Sequence, residues 1–136
     1  PGRSIVGNAG ITLYSCSQIK QTYGKKQYLF IDGGMADNIR PALYDAVYSV
    51  DVVNKINNKK EVLVDIVGKC CESGDIIRKD VLVPQIESGD VLMVYSTGAY
   101  NYTMSSNYNS LLRPAVVLVG EDIKVLKQRQ KLSDLI

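Results

Sequence analysis

The stretch Val62-Leu63-Val64-Asp65-Ile66-Val67 decides how the rest of the chain is read. It is short, rich in β-branched residues and nearly continuous in apolar character, the pattern of a strand covered on both faces and central in its sheet. Upstream, Lys55-Ile56-Asn57-Asn58-Lys59-Lys60 is a basic, asparagine-rich interval. It predicts a solvated hairpin loop back to the apolar run Ala46–Val53. Downstream, Val81–Val83 ends at Pro84, which cannot donate a ladder hydrogen bond, and Glu87-Ser88-Gly89-Asp90 is a turn into Val91–Tyr95. Comparable runs lie at Ile11–Tyr14, Tyr28–Ile31 and Ala115–Val119. About seven strands spaced this closely predict a mainly β domain, either a sandwich or a distorted barrel. Only Asn38–Asp45 and Tyr100–Asn107 have room for a turn or two of helix, and Leu126–Ile136 reads as a charged, weakly helical tail.

At 136 residues the chain is expected to form a single domain, residues 1–136. Folding at this size buries roughly two-thirds of the extended-chain surface, so neither a disulfide nor a metal is required. Sixteen basic against fourteen acidic residues leave a net charge of +2, and no face concentrates Lys and Arg among aromatics. Nucleic acid is therefore not an expected partner. No run approaches the ~20 apolar residues of a membrane span. The odd cysteine count, Cys16, Cys70 and Cys71, with two of them adjacent, predicts free thiols and a cytoplasmic protein. With no histidine, acid–base chemistry near neutral pH must use a thiol, a carboxylate, a tyrosine or a cofactor.

Between the strands lie dense polar and glycine clusters of the kind that carry function. In Arg40-Pro41-Ala42-Leu43-Tyr44, a helical turn would bring the guanidinium and the phenol to one face, suited to a carboxylate. Taken alone, the pair reads more readily as a surface Arg and a core-rim Tyr. Cys70-Cys71-Glu72-Ser73-Gly74-Asp75 sets a thiol beside a carboxylate on a tight loop, a competent proton donor, or else a pair of buried small hydrophobes. Thr97-Gly98-Ala99-Tyr100 allows close backbone approach to a ligand with a hydroxyl at hand, and equally a strand-end turn.

Taken in order, Pro1-Gly2-Arg3, Asp32-Gly33-Gly34-Met35, Arg40-Pro41-Ala42-Leu43-Tyr44, Cys71-Glu72-Ser73-Gly74-Asp75, Gly98-Ala99-Tyr100 and Ser106-Asn107-Tyr108-Asn109 resemble the successive motifs of diaminopimelate decarboxylases. The resemblance runs from Pro1 to Arg113 and its following strand. It departs from the family's pattern at Ala36, Ile39, Thr103 and Ser105, none of them an expected contact. It implies a fold-type III pyridoxal-phosphate enzyme, in which a TIM-like barrel holds the cofactor and a C-terminal β domain packs beside it. This chain matches the β domain, its first ten or so residues being the end of a barrel that carries the anchoring lysine and is absent here. The chain opens without methionine, and is expected to be an inactive fragment of a longer protein.

The resemblance also implies roles. Arg3 and Arg40 would bind a substrate carboxylate with Tyr44 beside them, and Tyr100 would touch both the pyridoxal 5'-phosphate and the substrate. Cys71 would be the acid that reprotonates the α-carbon after carbon dioxide leaves, and Glu72 would bind the distal amino group. Both would reach across a homodimer interface into the partner's site, while Cys70 has no assigned role. The reaction implied is conversion of meso-2,6-diaminopimelate to L-lysine and CO2. The alternatives are a relative acting on ornithine, arginine or carboxynorspermidine, and an inert dimerisation or regulatory domain.

Overall fold

In the computed structural model, which describes residues 1–136, the deciding stretch is a strand, β4 (Val62–Val67), hydrogen-bonded on both sides. It runs parallel to β2 (Gln27–Ile31) and antiparallel to β5 (Ile76–Val83). The long β1 (Thr12–Gln21) pairs with β6 (Val91–Val94) through its first half and with β2 through its second. β3 (Val50–Val52) closes the far edge against β6. The order β3-β6-β1-β2-β4-β5 makes a nearly closed sheet, so the domain is mainly β and takes the distorted-barrel alternative. The hand-over along β1 falls at an irregularity between Cys16 and Gln18. A bulge there bends the strand and lets it serve two partners.

Side chains along most strands alternate between core and solvent. In β1, Tyr14 and Cys16 point inward while Leu13 and Ser15 do not; Leu29 and Ile31 of β2 and Leu92 and Val94 of β6 follow suit. These join Val64, Ile66, Ile77 and Val83 in one core. In β4, by contrast, Val64, Asp65 and Ile66 are buried in succession. The Asp65 carboxylate, on the opposite face, lies 2.8 Å from Lys26 Nζ and accepts the Asp80 N–H at 2.9 Å. Coverage of both faces therefore holds only for the middle of the strand. Leu63 is 53% exposed opposite its register partner Leu82 at 50%, and β4 neighbours the edge strand β5 instead of lying centrally. Pairing on both sides, not burial of both faces, fixes its place.

Other boundaries differ from the apolar runs for a common reason. β1 continues to Gln21 and β5 begins at Ile76, because outward positions such as Ser17, Gln18, Arg78 and Lys79 are polar and hide strand from a reading of apolar density. Only Val50–Val52 of the run Ala46–Val53 is strand. The interval Lys55–Lys60 is not a hairpin loop, since β3 and β4 lie in separate parts of the sheet. Nor is it simply solvated, for Lys60 pairs with Asp51. Lys55 Nζ lies 2.9 Å from Asp90 Oδ2 and donates to Gln85 O at 3.0 Å.

Asp90, 4% exposed, also accepts the Glu87 N–H at 2.7 Å and the Asn54 amide at 2.6 Å, which fixes the expected Glu87–Asp90 turn. Burial by itself raises this carboxyl, but the Glu87 N–H, Lys55 and Asn54 outweigh it and hold it below the ordinary carboxylate range. A depressed folded value stabilises the fold above the unfolded carboxyl's pKa of ~3.9 and ceases to do so as pH falls through the folded value. Asp90→Asn is therefore expected to lower the melting temperature at pH 7, the deficit shrinking as pH is taken toward about 3. Thermal melts across that range check it. A deficit independent of pH would assign the effect to shape instead of charge.

β7 (Val116–Val119) and β8 (Ile123–Lys127) form a separate two-stranded sheet. The weakly helical tail expected from Leu126 onward is corrected accordingly. Leu126 and Lys127 complete β8, and only Leu132–Asp134 makes a single 3-10 turn. Gln130 reaches back, its Oε1 accepting from Asn107 Nδ2 at 2.6 Å and from the Arg113 N–H at 2.8 Å.

Candidate active site

The segment Arg40–Tyr44 forms a short helix, α2, with Pro41 in its first turn, where a missing N–H costs nothing. Asp45, in the left-handed region at φ 51°, stops it. Four-residue spacing then stacks the two functional side chains as expected, with the Arg40 guanidinium carbon 5.3 Å from the Tyr44 ring centroid. The same carbon lies 5.4 Å from the ring of Tyr100. Arg40 Nε is sealed from solvent and has no acceptor. A buried donor on a cation, held between aromatic faces without a counter-charge, is costly unless an anion completes it. A carboxylate or phosphate matches that need.

Tyr100 reaches this corner through a backbone contact that tolerates no side chain. Gly10 and Gly98 pack main chain on main chain, and a Cβ on Gly98 would overlap the Val6 carbonyl at the end of helix α1 (Arg3–Val6). Gly98 N–H donates to Gly7 O at 3.0 Å and Thr97 N–H to Gly10 O at 2.9 Å. Tyr100 itself has φ 70°, a conformation rare for a bulky residue. It is held there because helix α3 (Asn101–Met104) begins at once, with Met104 N–H donating to Tyr100 O at 3.0 Å. A Cβ on Gly2 would lie 2.9 Å from Tyr100 Oη, so the Gly2 backbone adjoins the phenol. The Arg3 side chain is exposed and unpaired. The structure thus gathers Arg40, Tyr44 and Tyr100, with Gly2, the residue before Arg3, against the Tyr100 hydroxyl.

Cys71 and Glu72 sit on the loop between β4 and β5, and the two cysteines separate cleanly: Cys70 is buried, Cys71 exposed. Burial, and then the Asp75 carboxylate, push the Cys70 thiol up, so it stays protonated and inert at neutral pH. Asp75 organises the loop. It is 3% exposed and accepts the Met35 N–H at 2.6 Å and the Cys70 N–H at 2.7 Å. Its carboxylate fills the space that a Cβ on Gly34 or Gly68 would occupy, and Gly34 has φ +149°. The Asp-Gly-Gly-Met and Cys-Glu-Ser-Gly-Asp clusters are one assembly joined by this side chain. Sequence reasoning did not single out Asp75; the only signal was an acid closing one glycine-bearing loop while another lay elsewhere in the chain.

Glu72 accepts a hydrogen bond from Tyr108 Oη on Oε1. Together with Met35, Ile39 and Ser106 these two residues line a cleft of about 310 Å³. Ile39, a departure from the family's pattern that was not an expected contact, belongs to the wall of this cleft, and Tyr108 is a second residue that sequence reasoning left without a role. No hydrogen bond or ion pair links Cys71 or Glu72 to Arg3, Arg40, Tyr44 or Tyr100. Ile39, the residue before Arg40, nevertheless shares the cleft with Glu72. A larger recess of about 480 Å³ lies at the β1 bulge, lined by Ser15, Cys16, Asp32 and Lys69 among others, and contains none of the candidate residues.

The family described as pyridoxal-dependent decarboxylase, C-terminal sheet domain, matches residues 5–98. The diaminopimelate decarboxylase of Bacillus subtilis (strain 168) is 49% identical over 138 residues, covering 100% of this chain and 31% of that protein. The solved diaminopimelate decarboxylase of M. jannaschii in complex with L-lysine has a TM-score of 0.92 at 38% identity, over 99% of this chain and 31% of that one. That of Helicobacter pylori, also complexed with L-lysine, gives 0.90 at 33% identity, over 98% and 32%. The chain spans about a third of the length of the relatives it matches. With the family match running through every strand from β1 to β6 and taking in Arg40, Tyr44, Cys71 and Glu72, the chain belongs to the pyridoxal-dependent decarboxylases, as their C-terminal sheet domain.

Proposed function

We propose that this domain is part of a pyridoxal-phosphate enzyme that converts meso-2,6-diaminopimelate to L-lysine and CO2, a cytoplasmic homodimer with active sites shared between subunits. The observation that carries the reading is the Arg40 guanidinium, set between the Tyr44 and Tyr100 rings with a sealed Nε that lacks an acceptor. Diaminopimelate brings carboxylates and the cofactor brings a phosphate, and this corner suits an anion of either kind. Relatives bearing that activity at 49% identity, and two solved with L-lysine, support the choice of substrate over ornithine or arginine. Three free thiols are in keeping with a reducing compartment.

In this reading Arg3 and Arg40 hold substrate carboxylate, planar forks being suited to bidentate contact, and Tyr44 keeps Arg40 in place from one side. Tyr100 offers its hydroxyl to the cofactor phosphate and to the substrate. Bound pyridoxal phosphate supplies the electron sink that allows the carbon–carboxylate bond to break. The exposed Cys71 thiol delivers a proton to the α-carbon, and Glu72 receives the distal ammonium. In this reading Cys71 and Glu72, which share no hydrogen bond or ion pair with Arg3, Arg40, Tyr44 or Tyr100 of the same chain, serve the partner subunit's site. The first ten or so residues then belong with a barrel that carries the covalent lysine.

The test is lysine formation from meso-diaminopimelate by the intact protein with pyridoxal phosphate. Arg40→Lys keeps the charge but loses the fork and its stacking, and is expected to raise KM roughly ten- to a hundredfold, the weight of one charge-assisted contact. An unchanged KM would remove Arg40 from the carboxylate site.

A further inference from the structure

We infer that Tyr108 is a positioning residue that aims Glu72 and so sets the selectivity for a ligand's distal ammonium; this rests on the reading of Glu72 given above. Glu72 lies on an exposed loop, where a glutamate with three free torsions would ordinarily sample many rotamers at an entropic cost to any contact it makes. One of its oxygens is instead taken by the Tyr108 hydroxyl, which leaves Oε2 as the atom able to meet an incoming cation. The phenol donates its only proton to the carboxylate, so it holds Glu72 while preserving its negative charge. The Tyr108 hydroxyl is correspondingly pushed up, chiefly by that hydrogen bond, and stays protonated at neutral pH.

The backbone that presents Tyr108 is itself fixed from several sides. Ser106 N–H donates to Ala36 O at 2.9 Å, and Asn107 Nδ2 donates to Leu111 O at 2.7 Å and to Gln130 Oε1 at 2.6 Å. A 3-10 turn over Tyr108–Ser110 follows, with Asn109 in the left-handed region at φ 53°. On the other side, the Asp75 latch holds the Cys70 N–H, two residues before Glu72. The hydrogen bond therefore joins two anchored segments across a cleft whose remaining wall is Met35, Ile39 and Ser106. Met35 and Ile39 offer no competing charge. Within that cleft a positive group finds a single carboxylate with a defined direction.

The experiment compares the intact, cofactor-loaded wild type with Tyr108→Phe and Glu72→Gln by calorimetric titration of two ligands. These are L-lysine, whose ε-carbon is the one that lost CO2 and whose α-ammonium is therefore the distal one, and 6-aminohexanoate, which lacks that α-ammonium. Phenylalanine keeps the ring of a side chain that is already 44% exposed, so the fold is preserved. Tyr108→Phe is expected to weaken L-lysine roughly five- to tenfold, below the full worth of a hydrogen bond to a charged group because water competes at this exposed site. Binding of 6-aminohexanoate should stay as in wild type, and the double variant should lose no more than Glu72→Gln alone. If Glu72→Gln leaves L-lysine binding unchanged, the underlying role of Glu72 fails. If Glu72→Gln weakens L-lysine while Tyr108→Phe does not, or if Tyr108→Phe weakens both ligands equally, the inference about Tyr108 is overturned.

Discussion

Replacing Cys71 with alanine in the intact enzyme is expected to lower kcat roughly 10²- to 10⁴-fold, the usual weight of a positioned general acid, with the fold intact. The side chain is exposed and makes no hydrogen bond within the domain, so its removal opens no cavity and leaves no buried group unpaired. Within the domain its removal therefore carries no structural penalty, and a loss in turnover with the dimer intact reports on proton delivery. The neighbouring Cys70 cannot take over. It is buried on the other side of the loop, with its N–H tied to Asp75 and its thiol held protonated by burial and that carboxylate. Cys71→Ser retains a donor of higher pKa and should fall between the two. Steady-state turnover of meso-diaminopimelate measures the effect. Wild-type kcat in Cys71→Ala would mean that the proton comes from another group.

The second large effect is expected at Asp75. Its alanine variant should destabilise the loops it joins by about 3–5 kcal/mol, since two backbone N–H groups lose their acceptor in a buried place. Neither conservative exchange should rescue it. Asparagine turns one acceptor oxygen into a donor facing an N–H, and glutamate is too long for the space left by Gly34 and Gly68. Unfolding of a multidomain enzyme is not two-state, so the better readout is local hydrogen exchange over residues 33–37 and 68–75. Protection there should collapse in Asp75→Ala while the β1–β6 pairing keeps its own. Exchange unchanged from wild type would show that the latch contributes little.

Legibility in the sequence follows the range of the forces involved. The strands that could be read were those whose inward residues are apolar, as in Tyr28–Ile31 and Val91–Val94. Outward polar residues hid the second half of β1 and the first part of β5, while β8, exposed along its whole length, has no buried face to mark it. The helical turn at Arg40–Tyr44 was legible because Pro41 and the four-residue spacing are local. Tyr100 meeting the same guanidinium was not, for that contact depends on Gly98 packing against Gly10, far away in the chain. The Lys55–Lys60 interval was misjudged as a hairpin because solvation was inferred from composition. Lys55 in fact answers Asp90 and Gln85, which the crossover brings to it.

By itself the sequence determined a mainly β domain, free thiols, and a set of clusters whose order marks a decarboxylase sheet domain, since propensity, punctuation and motif order are written along the chain. Tertiary structure alone decided which of those clusters meet. It put Arg40 between two rings, turned Cys71 out and Cys70 in, and joined distant glycine loops through Asp75. The reason is physical: a buried carboxylate or an unpaired guanidinium is stable only where backbone N–H groups, aromatic faces or an incoming anion answer it. Those partners lie across the sheet, at separations that no local pattern encodes.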